Sequence, residues 1–111
     1  LCLAHGGGTL PWLLPRLDRG ELIKNPATPA GRLPSALARS LYSDSLTYDE
    51  QSLLLAVGRY GAGHVVLGTD YPFAAAETPP GAVLRGLADQ ALADAVRSGN
   101  AQALLRQSAP A

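Results

Sequence analysis

The sequence predicts an α/β fold in which parallel strands alternate with helices. Short apolar runs and helical patterns alternate along the 111 residues, which is the order typical of βαβ units. One run, residues 65–67, is continuously apolar, as expected of a strand buried on both faces. Two runs stop at residues able to do chemistry, His5 and Asp70. Because the carboxyl ends of strands build the active site in barrels of alternating strands and helices, these residues are the first functional candidates.

The first half of the chain is predicted to contain one strand end, one helix and a long loop. Residues 1–4 fit the end of a buried strand that leads into a glycine turn. Residues 9–19 favour a helix, and Pro15 is expected to end or kink it because proline lacks the N–H that the helix requires. The glycines and prolines of residues 20–34 predict a long loop, after which residues 35–40 allow one or two helical turns.

The second half is predicted to supply two further strands and the helices that follow them. Thr47 and Glu50 form a capping-box pattern, in which each side chain satisfies an unpaired backbone N–H at the start of a helix over residues 49–60. The remaining elements are predicted as strands at 41–46 and 64–68, a loop at 70–80, and helical segments at 81–87, 91–97 and 101–106.

Composition narrows the class of protein. Nine basic residues balance nine acidic ones, so no electrostatic footprint for nucleic acid or an anionic membrane is expected. No run approaches the ~20 apolar residues of a membrane span.

The single cysteine, Cys2, permits no disulfide within the chain, which favours a reducing, cytoplasmic compartment. The apolar surroundings of Cys2 predict that it packs inertly in the core. The start inside an apolar run and the lack of methionine predict the tail of a longer enzyme.

His5 and Asp70 are the strongest candidates for chemistry. His5 precedes three glycines, which allow backbone to approach a substrate or metal closely, and a histidine suits general acid–base catalysis. Asp70 follows the buried strand and can ligate a divalent metal or accept a proton from water on that metal. The alternatives are a histidine at an ordinary tight turn and an aspartate that caps a turn before Pro72. Two strand–helix units separate the residues, so both can face the same mouth of a barrel.

Four other residues carry weaker expectations. Arg16 is able to clamp a substrate carboxylate, although a solvated arginine is the alternative. Trp12 and Phe73 are the only tryptophan and phenylalanine, and each is either a substrate wall or a packing residue. His64 lies at the opposite end of its strand from Asp70, so it is expected on the surface of the stability face.

Three segments together resemble a known family. They are Ala-His-Gly-Gly-Gly-Thr-Leu-Pro at 4–11, Tyr-Ser-Asp-Ser-Leu at 42–46 and Val-Val-Leu-Gly-Thr-Asp-Tyr-Pro-Phe at 65–73. In order and spacing they are similar to the aminocarboxymuconate-semialdehyde decarboxylase group of amidohydrolase-related proteins. The Gly-Asn-Ala at 99–101, followed by two leucines, is similar to the closing helix of that family.

The resemblance implies the last three strand–helix units of a TIM (β/α)₈ barrel with one divalent metal, usually zinc, at its mouth. It implies that His5 is the catalytic histidine that acts on water bound to the metal, and that Asp70 is a metal ligand. Arg16 matches an arginine that holds the substrate carboxylate in the neighbouring subunit of family dimers, and Phe73 matches an aromatic residue near the substrate. Trp12 is taken as a further substrate-binding candidate.

The metal site is expected to be incomplete in this chain. The family's first-strand His-x-His pair and fifth-strand histidine have no counterpart, since the only histidines are His5 and His64. Residues 1–111 are therefore expected to form the C-terminal part of a metal-dependent, non-oxidative decarboxylase of a carboxylated unsaturated or aromatic-derived small molecule. A metal-dependent hydrolase of the same superfamily, or a truncated non-catalytic interaction module, is the alternative. Alone, the chain is expected to show no tight zinc binding and no turnover, and an unpaired edge at residues 1–4 favours association, such as a homodimer.

Overall fold

A computed structural model describes residues 1–108 of the chain. Its centre is a parallel three-stranded sheet of β1 (Cys2–Leu3), β2 (Tyr42–Asp44) and β3 (Val65–Val66), in the order β1-β2-β3. Leu3 pairs with Ser43, which in turn pairs with Val65. The α/β class and the parallel arrangement are thus confirmed, although each strand is shorter than the sequence predicts.

Within residues 1–108, five α-helices connect and cover these strands. They are α1 (Leu10–Lys24), α2 (Pro34–Ala38), α3 (Glu50–Tyr60), α4 (Gln90–Asp94) and α5 (Asn100–Ser108). Single 3₁₀ turns lie at His5–Gly7, Ala30–Arg32 and Ala82–Leu84, and a π-helical turn at Ala95–Gly99 joins α4 to α5. None of the helices within residues 1–108 has the length and apolar character needed to cross a bilayer.

Helix α1 is longer than predicted. It continues through Pro15 to Lys24, so the predicted loop at 20–34 begins only after the helix ends. Proline at position 15 removes the N–H that would bond to the carbonyl of Pro11. The Nε of Arg59, on α3, donates to that carbonyl oxygen instead, at 3.0 Å. The cost that normally ends a helix at proline is therefore offset by a side chain from another helix.

The start of α3 also differs from the prediction. The N-cap residue is Asp49, whose carboxylate accepts a hydrogen bond from the Ser52 N–H at 2.7 Å. Thr47 donates to backbone carbonyls instead, so the capping box of Thr47 and Glu50 is wrong. The hydrogen bonds from Ser52 lower the pKa of Asp49, because they stabilise its ionised form. The same helix is capped, but by a residue two positions later.

Two apolar clusters pack against the sheet. The larger one joins α3, β3 and the C-terminal helices and contains Leu53, Val65, Leu84, Leu87, Leu92, Ala93 and Val96. The smaller one joins α1, α2 and α3 through Leu14, Ala38, Ala56 and Tyr60. Asn100, at the start of α5, is buried, and its Nδ2 donates to the carbonyls of Ala62 and Val65. These bonds fasten the last helix to β3.

Cys2 lies in an exposed position, so its predicted burial in the core is wrong. The reason is its place on β1, which is an edge strand of the described sheet and pairs only with β2. Partial burial still raises the pKa of the thiol, and the nearby negative charge of Asp44 raises it further. Within residues 1–108 Cys2 is therefore accessible, and the pKa of its thiol lies above the ordinary value.

Candidate catalytic edge of the sheet

The three strands point their carboxyl ends at one edge, a candidate site that we call the catalytic edge. His5 follows β1, Asp44 is the last residue of β2, and Asp70 follows β3 by four residues. Since the strands are parallel and adjacent, their ends lie side by side. Residues that are 65 positions apart in the chain are thereby brought together.

His5 and Asp70 meet directly. The Nε2 of His5 lies 3.3 Å from Oδ1 of Asp70, and their side chains are 59% and 23% exposed. Asp70 is thus partly enclosed, whereas the imidazole of His5 remains open to solvent. Both residues have left-handed backbone, with φ of 57° and 61°. Such a conformation costs a non-glycine residue on the order of 1–3 kcal/mol, and it persists only where surrounding contacts hold it.

The glycine turn after His5 is held from both sides. The Gly6 N–H donates to Oδ1 of Asp44 at 3.0 Å, and the Tyr60 hydroxyl donates to the Gly6 carbonyl at 3.3 Å. A Cβ atom on Gly7 would lie 2.0 Å from the Tyr60 oxygen, so only glycine fits there. Burial raises the pKa of Tyr60, which keeps its hydroxyl protonated and able to donate.

The loop that carries Asp70 is closed at its base. The Glu77 N–H donates to the carbonyl of Thr69 at 2.9 Å. The buried carboxylate of Glu77 accepts hydrogen bonds from the N–H groups of Gly81 (2.7 Å) and Val83 (3.0 Å). Its charge is therefore compensated by backbone donors. Within the loop, the Phe73 N–H bonds to the Asp70 carbonyl and forms a tight turn.

Asp44 is a residue of this edge that the sequence reasoning missed. Its Oδ1 accepts hydrogen bonds from the N–H groups of both Gly6 and Leu46, each at 3.0 Å. The rule that selected Asp70, a carboxylate at the end of a strand, applies equally to Asp44. It was hidden because the predicted strand extends to residue 46, which places Asp44 inside the strand instead of at its end.

The substrate-binding candidates lie in two separate places. Phe73 is 68% exposed and belongs to the Asp70 loop, so it stands beside the catalytic edge. Trp12 and Arg16 are exposed on α1, where they line a shallow pocket of about 350 Å³ with Pro15 and Arg59. Neither His5 nor Asp70 lines that pocket. Within the described residues, Arg16 and Trp12 therefore do not share a pocket with His5 and Asp70.

The described residues do not make a complete metal site. Among residues 1–108, no group of three or more histidine, cysteine, aspartate or glutamate side chains is placed to hold one ion. A catalytic zinc generally needs about three protein ligands, and the pair of His5 and Asp70 falls short of that number. His64 cannot add to it, because it lies at the amino end of β3 and donates from Nδ1 to the carbonyl of Leu41.

Comparison with known proteins identifies the family. The sequence profile of the amidohydrolase family matches residues 1–107. The 2-amino-3-carboxymuconate-6-semialdehyde decarboxylase of Caenorhabditis elegans is 40% identical over 87 residues, and the match covers 76% of this chain and 21% of the relative. The enzyme of the same name from Dictyostelium discoideum is 33% identical over 94 residues, covering 78% of this chain and 25% of the relative.

Solved structures show the same likeness in three dimensions. A dihydroxybenzoic acid decarboxylase from Polaromonas, solved with manganese and 2-nitroresorcinol, superposes with a TM-score of 0.76 at 26% identity, covering 98% of this chain and 34% of that one. The 5-carboxyvanillate decarboxylase of Sphingomonas paucimobilis gives a TM-score of 0.72 at 26% identity, covering 95% and 33%. The chain spans about a fifth to a quarter of the length of the two curated relatives. The resemblance found in its motifs is confirmed, and the chain belongs to the amidohydrolase family.

Proposed function

We propose that residues 1–111 are the C-terminal portion of a metal-dependent, non-oxidative decarboxylase that acts on a carboxylated aromatic or unsaturated small molecule. The observation that carries the proposal is the 3.3 Å approach of His5 to Asp70 at the carboxyl ends of parallel strands. The related proteins named above are decarboxylases, which favours this reaction over hydrolysis. The three strands would be the sixth, seventh and eighth of a (β/α)₈ barrel.

His5 is the proposed proton-transfer residue. In a decarboxylation the bond to the carboxylate breaks, its electron pair stays on the substrate carbon, and a proton takes the place of the departing CO₂. An exposed imidazole next to a carboxylate can hold that proton and deliver it. The partly enclosed Asp70 fixes the orientation of the imidazole through Nε2. The left-handed backbone of both residues is a further sign of a site whose geometry is imposed by its surroundings.

Asp70 is also proposed as one ligand of a divalent metal whose other ligands lie outside this chain. A divalent metal, when bound, would stabilise the negative charge that develops as CO₂ leaves. The resemblance favours zinc, whereas the related Polaromonas structure holds manganese, so metal analysis of the purified enzyme is needed to identify the ion. One carboxylate suits either metal.

The proposal also assigns substrate contacts to three side chains, namely Phe73, Arg16 and Trp12. Phe73, beside Asp70, is placed to form a wall for an aromatic substrate. The exposed Arg16 on α1 would hold the substrate carboxylate in the site of a second subunit, with Trp12 next to it.

Leu13 and Leu17 expose 37% and 43% of their surface on the same helix, which supports a homodimer. The single free cysteine supports a cytoplasmic location.

The test is CO₂ release by the full-length enzyme from a panel of aromatic carboxylates, with esters and amides as competing substrates. We expect CO₂ in amounts equal to the decarboxylated product, and we expect the His5→Gln variant to lose this activity. The matched control is Lys24→Gln at the distant end of α1, which should keep it. Hydrolysis of an ester or amide without CO₂ would establish the hydrolase alternative, and no turnover by the metal-loaded enzyme would establish a non-catalytic module.

A further inference from the structure

We propose that Asp44 is a positioning residue that sets the place of His5 relative to Asp70. The inference rests on the proposed role of His5. Asp44 ends β2, the central strand, and so lies between the two strands that lead to His5 and to Asp70. Asp44 is itself the last residue of its strand, whereas Asp70 follows β3 by four residues.

On the side of His5, Asp44 holds the backbone. Its Oδ1 receives the N–H of Gly6, the residue directly after His5, at 3.0 Å. The same oxygen receives the N–H of Leu46 at 3.0 Å, which fixes the carboxylate to its own strand end. The two bonds therefore link the β1 turn to β2 through one atom. Because His5 has a φ of 57°, which is unfavourable for a residue other than glycine, this turn needs such a restraint to keep its shape.

On the side of Asp70, Asp44 fits against glycine. A Cβ atom on Gly68 would lie 2.6 Å from the Cβ of Asp44 and 3.1 Å from its Oδ2. Only glycine leaves room for Asp44 there, since real side chains do not approach so closely. Gly68 stands two residues before Asp70, so Asp44 touches the segments that carry both partners of the pair. Any displacement of Asp44 would move these segments relative to one another.

Asp44 therefore acts in two ways: its Oδ1 accepts two backbone hydrogen bonds, and its side chain fits closely against Gly68. Asparagine retains an oxygen that can accept both N–H groups and has nearly the same volume. Alanine removes the acceptor and leaves the N–H of Gly6 without its partner. Comparison of the two variants thus separates positioning from a direct action of the negative charge.

The experiment measures kcat and KM for CO₂ release by the full-length enzyme carrying Asp44→Ala or Asp44→Asn. We expect kcat of Asp44→Ala to fall ~10–100-fold with KM within about 2-fold, because misplacement of a reacting group by about 1 Å has effects of this size. Asp44→Asn should restore kcat to within about 3-fold of wild type, since the acceptor is kept. The control Asp49→Ala removes a carboxylate that only caps α3 and should leave kcat unchanged.

A second variant covers the case in which Asp44→Ala does not fold. Gly68→Ala keeps the carboxylate but pushes it from its place, and we expect the same loss of kcat at unchanged KM. Wild-type kcat in Asp44→Ala or in Gly68→Ala would overturn the proposal. An Asp44→Asn variant as inactive as Asp44→Ala would also overturn it, because the charge and not the position would then matter.

An NMR readout is independent of turnover. The imidazole resonance of His5, identified by its loss in His5→Gln, should shift in Asp44→Ala and stay in place in Asp44→Asn. A resonance that does not move in Asp44→Ala would contradict positioning even if the enzyme showed no decarboxylation. Failure of the proposed function is seen separately, as a wild-type enzyme that releases no CO₂ or a His5→Gln variant that still does.

Discussion

His5 and His64 are the two histidines of the chain, and they lie at opposite edges of the same sheet. His64, at the amino edge, is half-buried: its Nδ1 donates to the carbonyl of Leu41 at 2.9 Å, and its ring stacks on Tyr42 at a centroid distance of 4.2 Å. His5, at the catalytic edge, exposes 59% of its side chain, and its imidazole lies against Asp70. The fold satisfies one imidazole by packing and leaves the other available for chemistry.

The difference extends to the backbone around each histidine. His5 and Asp70 both have positive φ, and the Gly6 N–H next to His5 is held by Asp44, whereas His64 leads directly into β3. Backbone strain is thus present at His5 and Asp70 but not at His64. Strain confined to one edge in this way is typical of a functional site on a rigid scaffold. It also corrects the expectation for His64, which lies at the amino edge as predicted but is packed instead of lying on the open surface.

The largest expected effect comes from exchanging each histidine for alanine in the full-length enzyme. His5→Ala should lower kcat by ~10²–10⁴-fold, the range for loss of a general acid–base residue, and should leave the bound metal in place. His64→Ala should keep the kcat of the folded enzyme. Steady-state kinetics and elemental analysis measure both quantities. Loss of metal from the His5→Ala enzyme would make His5 a ligand and reverse the assigned roles.

The next effect concerns Asp70. Asparagine tolerates the left-handed backbone at this position, so Asp70→Asn keeps the loop but removes the charged oxygen. Replacing a residue that only hydrogen-bonds to a metal ligand typically lowers metal affinity by ~10–100-fold. For Asp70→Asn, which changes a ligand itself, we expect a larger fall. Competition with a chelator measures it. Unchanged affinity would exclude Asp70 as a ligand and leave it as a residue that orients His5.

At the amino edge we expect a loss of stability without a loss of catalysis. His64→Ala removes the bond to Leu41 and the stacking on Tyr42, which together amount to about 1–2 kcal/mol. His64→Phe keeps a ring for stacking and should lose less. Guanidinium unfolding of the full-length enzyme measures both variants. Equal losses would show that stacking contributes nothing.

The smallest effect is expected from Asp49, the N-cap residue of α3, whose role is structural. Hydrogen bonds from Ser52 hold its pKa below the ordinary 3.8, so the ionised form stabilises the folded state at neutral pH. That contribution is present above pH 3.8 and is lost as the pH falls through the lower folded-state pKa. Asp49→Ala should therefore lower the melting temperature slightly at pH 7, and the difference from wild type should shrink in acid. Asp49→Asn, an equally good cap, should differ little at any pH.

Local pattern predicted much of the fold because each signal lies within a few residues of its effect. The apolar run at 65–67 and the alternation of runs with helical patterns gave the parallel α/β class. The errors occurred where a distant residue intervened. Pro15 does not end α1, because Arg59 on another helix supplies a donor to the Pro11 carbonyl. Cys2 is exposed because its strand lies at the edge of the sheet formed by residues 1–108, and no short pattern encodes strand order.

The sequence by itself determined that His5 and Asp70 follow strands and therefore belong to one edge, since parallel strands must point the same way. It determined the family through its motifs as well. Only the tertiary structure decided that the two side chains approach to 3.3 Å and that Asp44 lies between their strands. The physical reason is that strand order, and the hydrogen bonds that hold left-handed residues, join positions 38 to 65 residues apart. Such contacts depend on packing of the whole chain and not on any local preference.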